Sequence, residues 1–470
     1  MRRIMCMVLS ILIAASICGC TDSNSGSVSD SSIESTSSVN EKTPVKPLEE
    51  TYYSPNYVPD PSSWGGAAAE ILGSVGDETD ALIPSVFINC SGDIDREEYI
   101  DCVIQIDGSM TEEYSGVQTY TATIRGRGHS TWEWPKKPYK IKLSEKNSIL
   151  KMNPSKNWVL IANYADESLL RNTTAFAMSE YLGSFDFTPK AVPVNVYLNG
   201  VYQGIYTIGE QIESKASRLD LDYREDSPNT GYLLEVGGAD PQTDQKGLQY
   251  FDLPSGCAQN ILICAPDGEK LTQANYDYIY KYMCLTDEAI TSLDGYETYI
   301  DVNSFIDWFI IHELSYNLDS CFHRSCFLYK DRGGKLKMGP VWDFDLAFGN
   351  LYYDNPNYND WATAGSSNSN SYIGVNWFNY LMNDPSFREK ARARWDSVKD
   401  GLIEAAMDSI DANREKLLPS VDDNFAVWDT LGIPNGYQPQ DMAKWSTYNE
   451  QVAYLRRFIT NRAAWIDENL

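Results

Sequence analysis

The segment SCFLYKDRGGKLKMGPVWDFDLAFGN, Ser325 to Asn350, holds two short apolar runs, a glycine pair and two acids set among bulky apolar residues. SCFLYKD, Ser325 to Asp331, reads as a strand. Gly333-Gly334 reads as a turn and KLKMGPVW as a second strand, so the pair predicts a β-hairpin. Asp343 and Asp345 follow the second strand directly, and acids are rarely left inside an apolar run unless something pairs with them.

Asn317-Leu318-Asp319 stands just before the first strand. An antiparallel hairpin brings its outer ends together. Asp319 and Asp343, 24 residues apart in the chain, are therefore expected side by side at the hairpin mouth. Three carboxylates crowded there repel, and unless a cation joins them at least one should keep its proton. A divalent metal with oxygen ligands is the natural partner, and Mg²⁺ suits such a sparse carboxylate site. The bland alternative is that each Asp caps its own turn. It accounts well for any one of the three and poorly for all three together.

Working outward, residues Ala81 to Leu143 are rich in short alternating runs such as YIDCVIQIDG and TYTATIRGRG, which predict strands. ADESLLRNTTAFAMSEYLG predicts a helix with Asp166 as N-cap and Gly183 as terminator. AVPVNVYLNGVYQGIYTIGEQI predicts a hairpin turning at Asn199-Gly200. VNSFIDWFIIHELSYN is a strong helix candidate, and Asp384 to Leu470 reads as mostly helical. The expected fold class is α+β: a strand-rich N-terminal lobe, about 81–235, and a helix-rich C-terminal lobe, about 290–470, within a domain spanning 81–470.

An Asp, a short hairpin and a metal-binding D-F-x loop, behind a strand-rich lobe, is the layout of a protein kinase. Such chemistry also needs cations for the phosphates. TIRGRGHSTWEWPKKPYKIKL offers Arg125, Arg127 and Ser130 in a Gly-Arg loop whose backbone N–H groups and guanidinium forks could face phosphate. Lys136, Lys137, Lys140 and Lys142 follow, with Lys140 and Lys142 on one face of a strand. Taken alone, these lysines read equally well as a solvated edge strand.

The ordered set R-G-x-G-x-S, K-K-P-Y-K-I-K, L-L-R-N, G-x-Y-x-x-x-E-Q-I, N-L-D-S and V-W-D-F-D-L-A-F-G-N resembles the CotH-type (spore coat protein H) kinase family over roughly Ala81 to Asn350. The resemblance implies a highly diverged protein-kinase-like fold that transfers phosphate from ATP, with Mg²⁺ or Mn²⁺, to serines of surface or coat proteins. It implies Asp319 as the catalytic aspartate and Asp343 and Asp345 as metal ligands. Lys140 or Lys142 becomes the expected phosphate contact, and Glu210 its candidate partner, with Glu180 as rival. One position departs from the kinase pattern. Five residues after the catalytic Asp, kinases place an Asn on the metal, and here Arg324 stands there. A non-enzymatic surface, adhesion or spore-coat module of the same fold and a Mg²⁺-dependent phosphohydrolase are the competing readings.

The chain opens MRRIMCMVLSILIAASICGC, with two arginines before an apolar run too short to span a bilayer. Residues 1–19 read as a lipoprotein signal, Cys20 as the lipidated residue and 20–50 as a Ser-rich tether, anchoring the protein to the outside of the bacterial membrane by lipid alone. A net charge of −28 argues against nucleic acid as a partner. Beyond Cys20 there are seven cysteines, an odd number without a CxxC pair, which favours free thiols over a zinc site. Only three histidines occur, which weighs against a Ser-His-Asp hydrolase.

Overall fold

Strand alternation between Ser85 and Glu210 builds a barrel. The computed structural model describes residues 83–470 apart from 115, 129, 242–243, 352–357, 365–373, 435 and 437. The signal, the tether and Cys20 lie outside the described residues. Strands β1 (Ser85–Cys90), β2 (Ile100–Asp107), β3 (Val117–Gly126), β4 (Tyr139–Asn147), β5 (Ser155–Ile161), β6 (Ala191–Leu198) and β7 (Val201–Glu210) pair in the order β1-β2-β3-β4-β5-β7-β6. Parallel pairing of β1 with β6, Ser85 opposite Asn195, closes the ring. Val86, Ile88, Ile104, Ile106, Ile124, Ile141 and Leu160 alternate inward and fill it. Closure leaves the strands without open edges. The predicted hairpin turns at Asn199-Gly200, both with positive φ, as a tight turn of this kind requires.

A second sheet has the order β12-β11-β8-β10-β9, built from β8 (Tyr232–Val236), β9 (Tyr250–Phe251), β10 (Ile261–Ala265), β11 (Cys326–Lys330) and β12 (Leu336–Met338). The predicted hairpin is present as β11 and β12, with Leu328 opposite Met338 and Lys330 opposite Leu336. The strand β8, not recognised in the sequence, pairs along the whole of β11. This sheet therefore takes strands from both sides of the expected boundary between residues 235 and 290.

Helices follow, as expected. A single turn, α1 (Ser130–Glu133), and α2 (Arg171–Leu182) lie within the strand-rich part. Then come α3 (Gln273–Ser292), α4 (Val302–Ser315), α5 (Trp377–Leu381), the 43-residue α6 (Pro385–Val427) and α7 (Tyr448–Asn469). No helix among the described residues is long and apolar enough to cross a membrane. Gly183 ends α2 in the left-handed region, as predicted. Asp166 is not the N-cap. Leu170 occupies that position, and Asp166 is buried in an ion pair with Arg171 while accepting the Arg171 backbone N–H at 2.9 Å. The α4 face is tied to α7 by buried Glu313, which accepts from Arg462 at 2.8 Å and from the amides of Ala362 and Thr363 at 2.7 Å.

Candidate active site

Helix α4 ends at Tyr316, which turns into the left-handed region at φ +49° and swings the chain into Asn317-Leu318-Asp319. Fully buried Asn317 then bridges the two acidic loops. Its Nδ2 donates to the Asp343 carbonyl at 2.9 Å, and its Oδ1 accepts the Ser320 amide at 3.2 Å. On the far side of the hairpin, Asp343 sits at φ +69°, a conformation Asp tolerates better than most residues. The Ser325 hydroxyl donates to Asp343 Oδ2 at 2.9 Å.

The loop after Asp343 is held from several directions. Asn172 at the start of α2 accepts the Phe344 amide at 2.9 Å. Arg171 Nε donates to the Ala347 carbonyl at 3.0 Å. Asn350 Nδ2 donates to the carbonyls of Asp345 at 2.7 Å and Ala165 at 2.6 Å. The Phe348 amide donates to Ser315 at 2.6 Å, back at the end of α4. The L-L-R-N and F-G-N motifs thus act as struts for the acidic loop.

Asp319, Asp343 and Asp345 line one cleft of about 1170 Å³. Burial, the charges of Asp343, Asp319 and Asp166, and a hydrogen bond with Asp343 push the Asp345 carboxyl well above the usual carboxylate range. The three acids expected at the hairpin mouth do share one electrostatic environment. The same cleft is lined by the cations Arg125, Arg127 and Lys140. Burial lowers the Arg127 guanidinium while Asp343, Glu235 and Asp345 raise it, and its Cζ lies 5.6 Å from the centre of the Trp342 ring. Lys140 is pushed down to about 8 by burial and then by the charges of Arg125 and Arg127.

Some sequence-predicted residues stand elsewhere. Ser130 lines the cleft mouth, but Lys137 does not reach it: its Nζ donates to the Trp132 carbonyl at 2.5 Å. Lys136 is buried, donating to Ile205 at 2.5 Å and Asn424 at 3.1 Å. Lys142 shares the Lys140 face but is exposed and lies outside the cleft lining. Glu210 does not partner a lysine of β4. It pairs with Arg218 at 2.9 Å and accepts the amides of Asn153 and Lys190, because β7 ends at the opposite side of β5 from β4. Its rival Glu180 is exposed on α2, in a separate groove.

The Gly-Arg loop also differs from the expected amide cradle. The Gly126 amide donates to Asp95 at 2.6 Å and the Arg127 amide to Pro138 at 3.2 Å, so these two backbone N–H groups are already taken, although Arg125 and Arg127 both line the cleft. Gly126 is needed for packing: a Cβ there would come within 2.3 Å of the Trp132 ring. Arg324 is exposed at the cleft.

Glu235, on β8, was missed. It lines the cleft, and burial followed by the Asp343 charge pushes it up to about 7. Its signal was the one that exposed Asp345, an acid inside an apolar run, here Tyr232 to Val236. Among the described residues no group of three or more His, Cys, Asp or Glu side chains is arranged around one metal position. The pair Asp343 and Asp345 supplies oxygen donors only. That fits a hard divalent cation which takes one or two protein carboxylates and fills its remaining positions with phosphate and water.

An α+β scaffold with acids and cations lining one cleft is the setting of the comparison with known families. The family model described as CotH kinase protein matches residues 124–466, so this chain belongs to the CotH kinase family. The match takes in the helical region through most of α7, beyond the stretch where the sequence motifs are sharp, and it leaves out β1 and β2. No curated protein matches the chain.

Proposed function

We propose that the protein is an atypical serine kinase that uses ATP and a divalent metal to phosphorylate surface or coat proteins. The observation that carries this reading is the single cleft that Arg127 and Lys140 line together with Asp319, Asp343 and Asp345, with Arg127 close enough to feel the charges of Asp343 and Asp345. Asp343 and Asp345 would hold Mg²⁺ or Mn²⁺, which when bound would neutralise charge on the phosphates. Arg127, Arg125 and Lys140 bind the phosphate oxygens. Asp319 orients the acceptor serine hydroxyl and takes its proton as the oxygen attacks the terminal phosphorus, whose bond to the bridging oxygen breaks to release ADP. Catalysis on this account comes from positioning and charge stabilisation. Lipidation at Cys20 would hold the domain at the outer face of the membrane. The exposed Arg324 in place of a metal-binding Asn favours one rival, a kinase-family module that binds without turnover.

ATP is expected to raise the melting temperature only with Mg²⁺ or Mn²⁺ present, since a ligand specific to the native state stabilises it by mass action. Equal stabilisation in excess chelator would remove the carboxylates from the binding account. Incubation with labelled ATP, metal and serine-bearing surface proteins then separates kinase from binding module. Label released only as free phosphate would mark a phosphohydrolase.

Lys140 gives the reading a pH signature. Its ammonium, lowered to about 8, is mostly charged a unit below that pH and mostly neutral a unit above it. Bound phosphate would favour the charged form, so ATP affinity should be highest below pH 8 and fall as pH rises through 8 to 9.5, by up to about tenfold per pH unit. Calorimetric titrations across that range should show the slope in wild type and not in Lys140→Met. A slope of the same size in the variant would assign it to another group.

A further inference from the structure

All seven cysteines among the described residues are free thiols, and two of them face each other. Cys90 ends β1 and is the register partner of Cys102 on β2. Both point into the barrel end, in line with inward-facing Val86 and Ile88 on β1 and Ile104 and Ile106 on β2. The adjacent rung is hydrogen-bonded, with the Ser91 amide donating to Asp101 at 3.1 Å. The Cys90 amide instead donates to Asn199 Oδ1 at 2.8 Å. Because rungs alternate in an antiparallel ladder, Cys90 and Cys102 form a non-hydrogen-bonded pair. In such pairs the Cα atoms lie about 4.5 Å apart with side chains close, within the range of about 4.4–6.8 Å that disulfides span. Each thiol perturbs the ionisation of the other, as expected of neighbours on one rung.

We propose that Cys90 and Cys102 are a disulfide-forming site, oxidised by low-molecular-weight disulfides as the chain folds. The Cys90 thiolate attacks one sulfur of the small disulfide and releases one small thiol. The Cys102 thiolate then attacks the Cys90 sulfur of the mixed disulfide and releases the second thiol. Two cysteine thiols and one small disulfide thus become one protein disulfide and two small thiols, the oxidant accepting two electrons. In the finished fold, burial pushes both thiols up, Cys102 to about 12, so thiolate is scarce and the bond belongs to the folding stage.

The bond would close the base of the β1–β2 loop, and that loop braces the cleft. Asp95 accepts the Gly126 amide, Arg96 accepts from Arg125 Nη1 at 3.2 Å, and Arg96 Nη1 donates to Gly128 at 3.3 Å. Arg96 and Glu97 themselves line the cleft. The bond therefore stiffens the wall that carries Arg125 and Arg127.

The test refolds the reduced, denatured full chain in oxidised and reduced glutathione, or in dithiothreitol, followed by iodoacetamide quenching. Trypsin cuts at Arg96, between the two cysteines, so mass spectrometry reads their linkage directly. A Cys90–Cys102 linked peptide pair is expected only after the glutathione refold. The glutathione-refolded protein should melt a few degrees higher than the dithiothreitol-refolded one, and Cys90→Ser and Cys102→Ala should each abolish the difference. Full carbamidomethylation of both cysteines after the glutathione refold, or linkage of either to a different cysteine, overturns the site. A linked pair with no rise in melting temperature overturns the stiffening of the cleft wall.

Discussion

An Asp343→Ala variant is expected to lose phosphate transfer and, with it, the metal-dependent part of ATP binding. Asp319→Ala should keep ATP binding nearly intact and lose about a hundredfold to ten-thousandfold in turnover, the usual range for a positioned base. The difference follows from where each acid sits. Asp343 bonds Asp345 and receives the Ser325 hydroxyl, and its charge acts on Arg127 and Glu235, so it stands at the electrostatic centre of the cleft. Asp319 lies on the loop after α4, and its charge raises Asp345. Removing it also relieves a repulsion, so Asp319→Ala should melt higher than wild type when no metal is present. Calorimetric ATP titrations with Mg²⁺ and with chelator, alongside labelled-phosphate transfer, resolve the two variants. Equal loss of binding in both would support the cleft as a nucleotide site but show that the division of labour between base and metal ligand is mistaken. Unchanged transfer by Asp343→Ala would remove the acidic loop from the reaction.

The parts of this site that were legible in the sequence are those fixed by local rules. A glycine pair between two apolar runs specified the β11–β12 hairpin, and antiparallel geometry then placed Asp319 and Asp343 together. The parts that were hidden depend on pairing between distant segments. Closure of the barrel rests on β1 meeting β6, and the floor of the cleft on β8 meeting β11, and neither contact leaves a local trace. Period two put Lys140 and Lys142 on one face correctly, but it could not show that the cleft covers only the first of them. Glu210 was matched to a lysine through motif order alone. The structure gives it Arg218 instead, from an irregular segment with no periodic signal. The Asp166 side chain illustrates a subtler limit. It sits five residues before the start of α2, yet its carboxylate still receives the first helical amide, because the turn that separates them folds back on itself.

That same Asp166 carries a large expected stability effect, as part of one of the fully buried ion pairs of the domain. Arg171→Ala should cost about 3–5 kcal/mol, the range seen when one partner of a buried ion pair is removed. Both side chains are fully buried. Without the guanidinium, the Asp166 charge keeps, among the described residues, Ser168 and the Arg171 backbone amide to bond, and the Ala347 carbonyl loses the donor it had at 3.0 Å. The effect should also reach the cleft. Asp166 already pushes Asp345 upward through its charge, and an uncompensated Asp166 would push harder while the acidic loop loses its tether at Ala347. Urea unfolding should therefore show a lower midpoint, and the folded fraction should need more Mg²⁺ to gain the same stabilisation from ATP. The double variant Asp166→Asn, Arg171→Met removes both charges and should recover a large part of the lost stability, since the main cost is the stranded carboxylate rather than the missing attraction. A single Arg171→Ala variant within about 1 kcal/mol of wild type would mean that water or a rearranged side chain compensates Asp166, and that the strut beneath the acidic loop does not hold it in place.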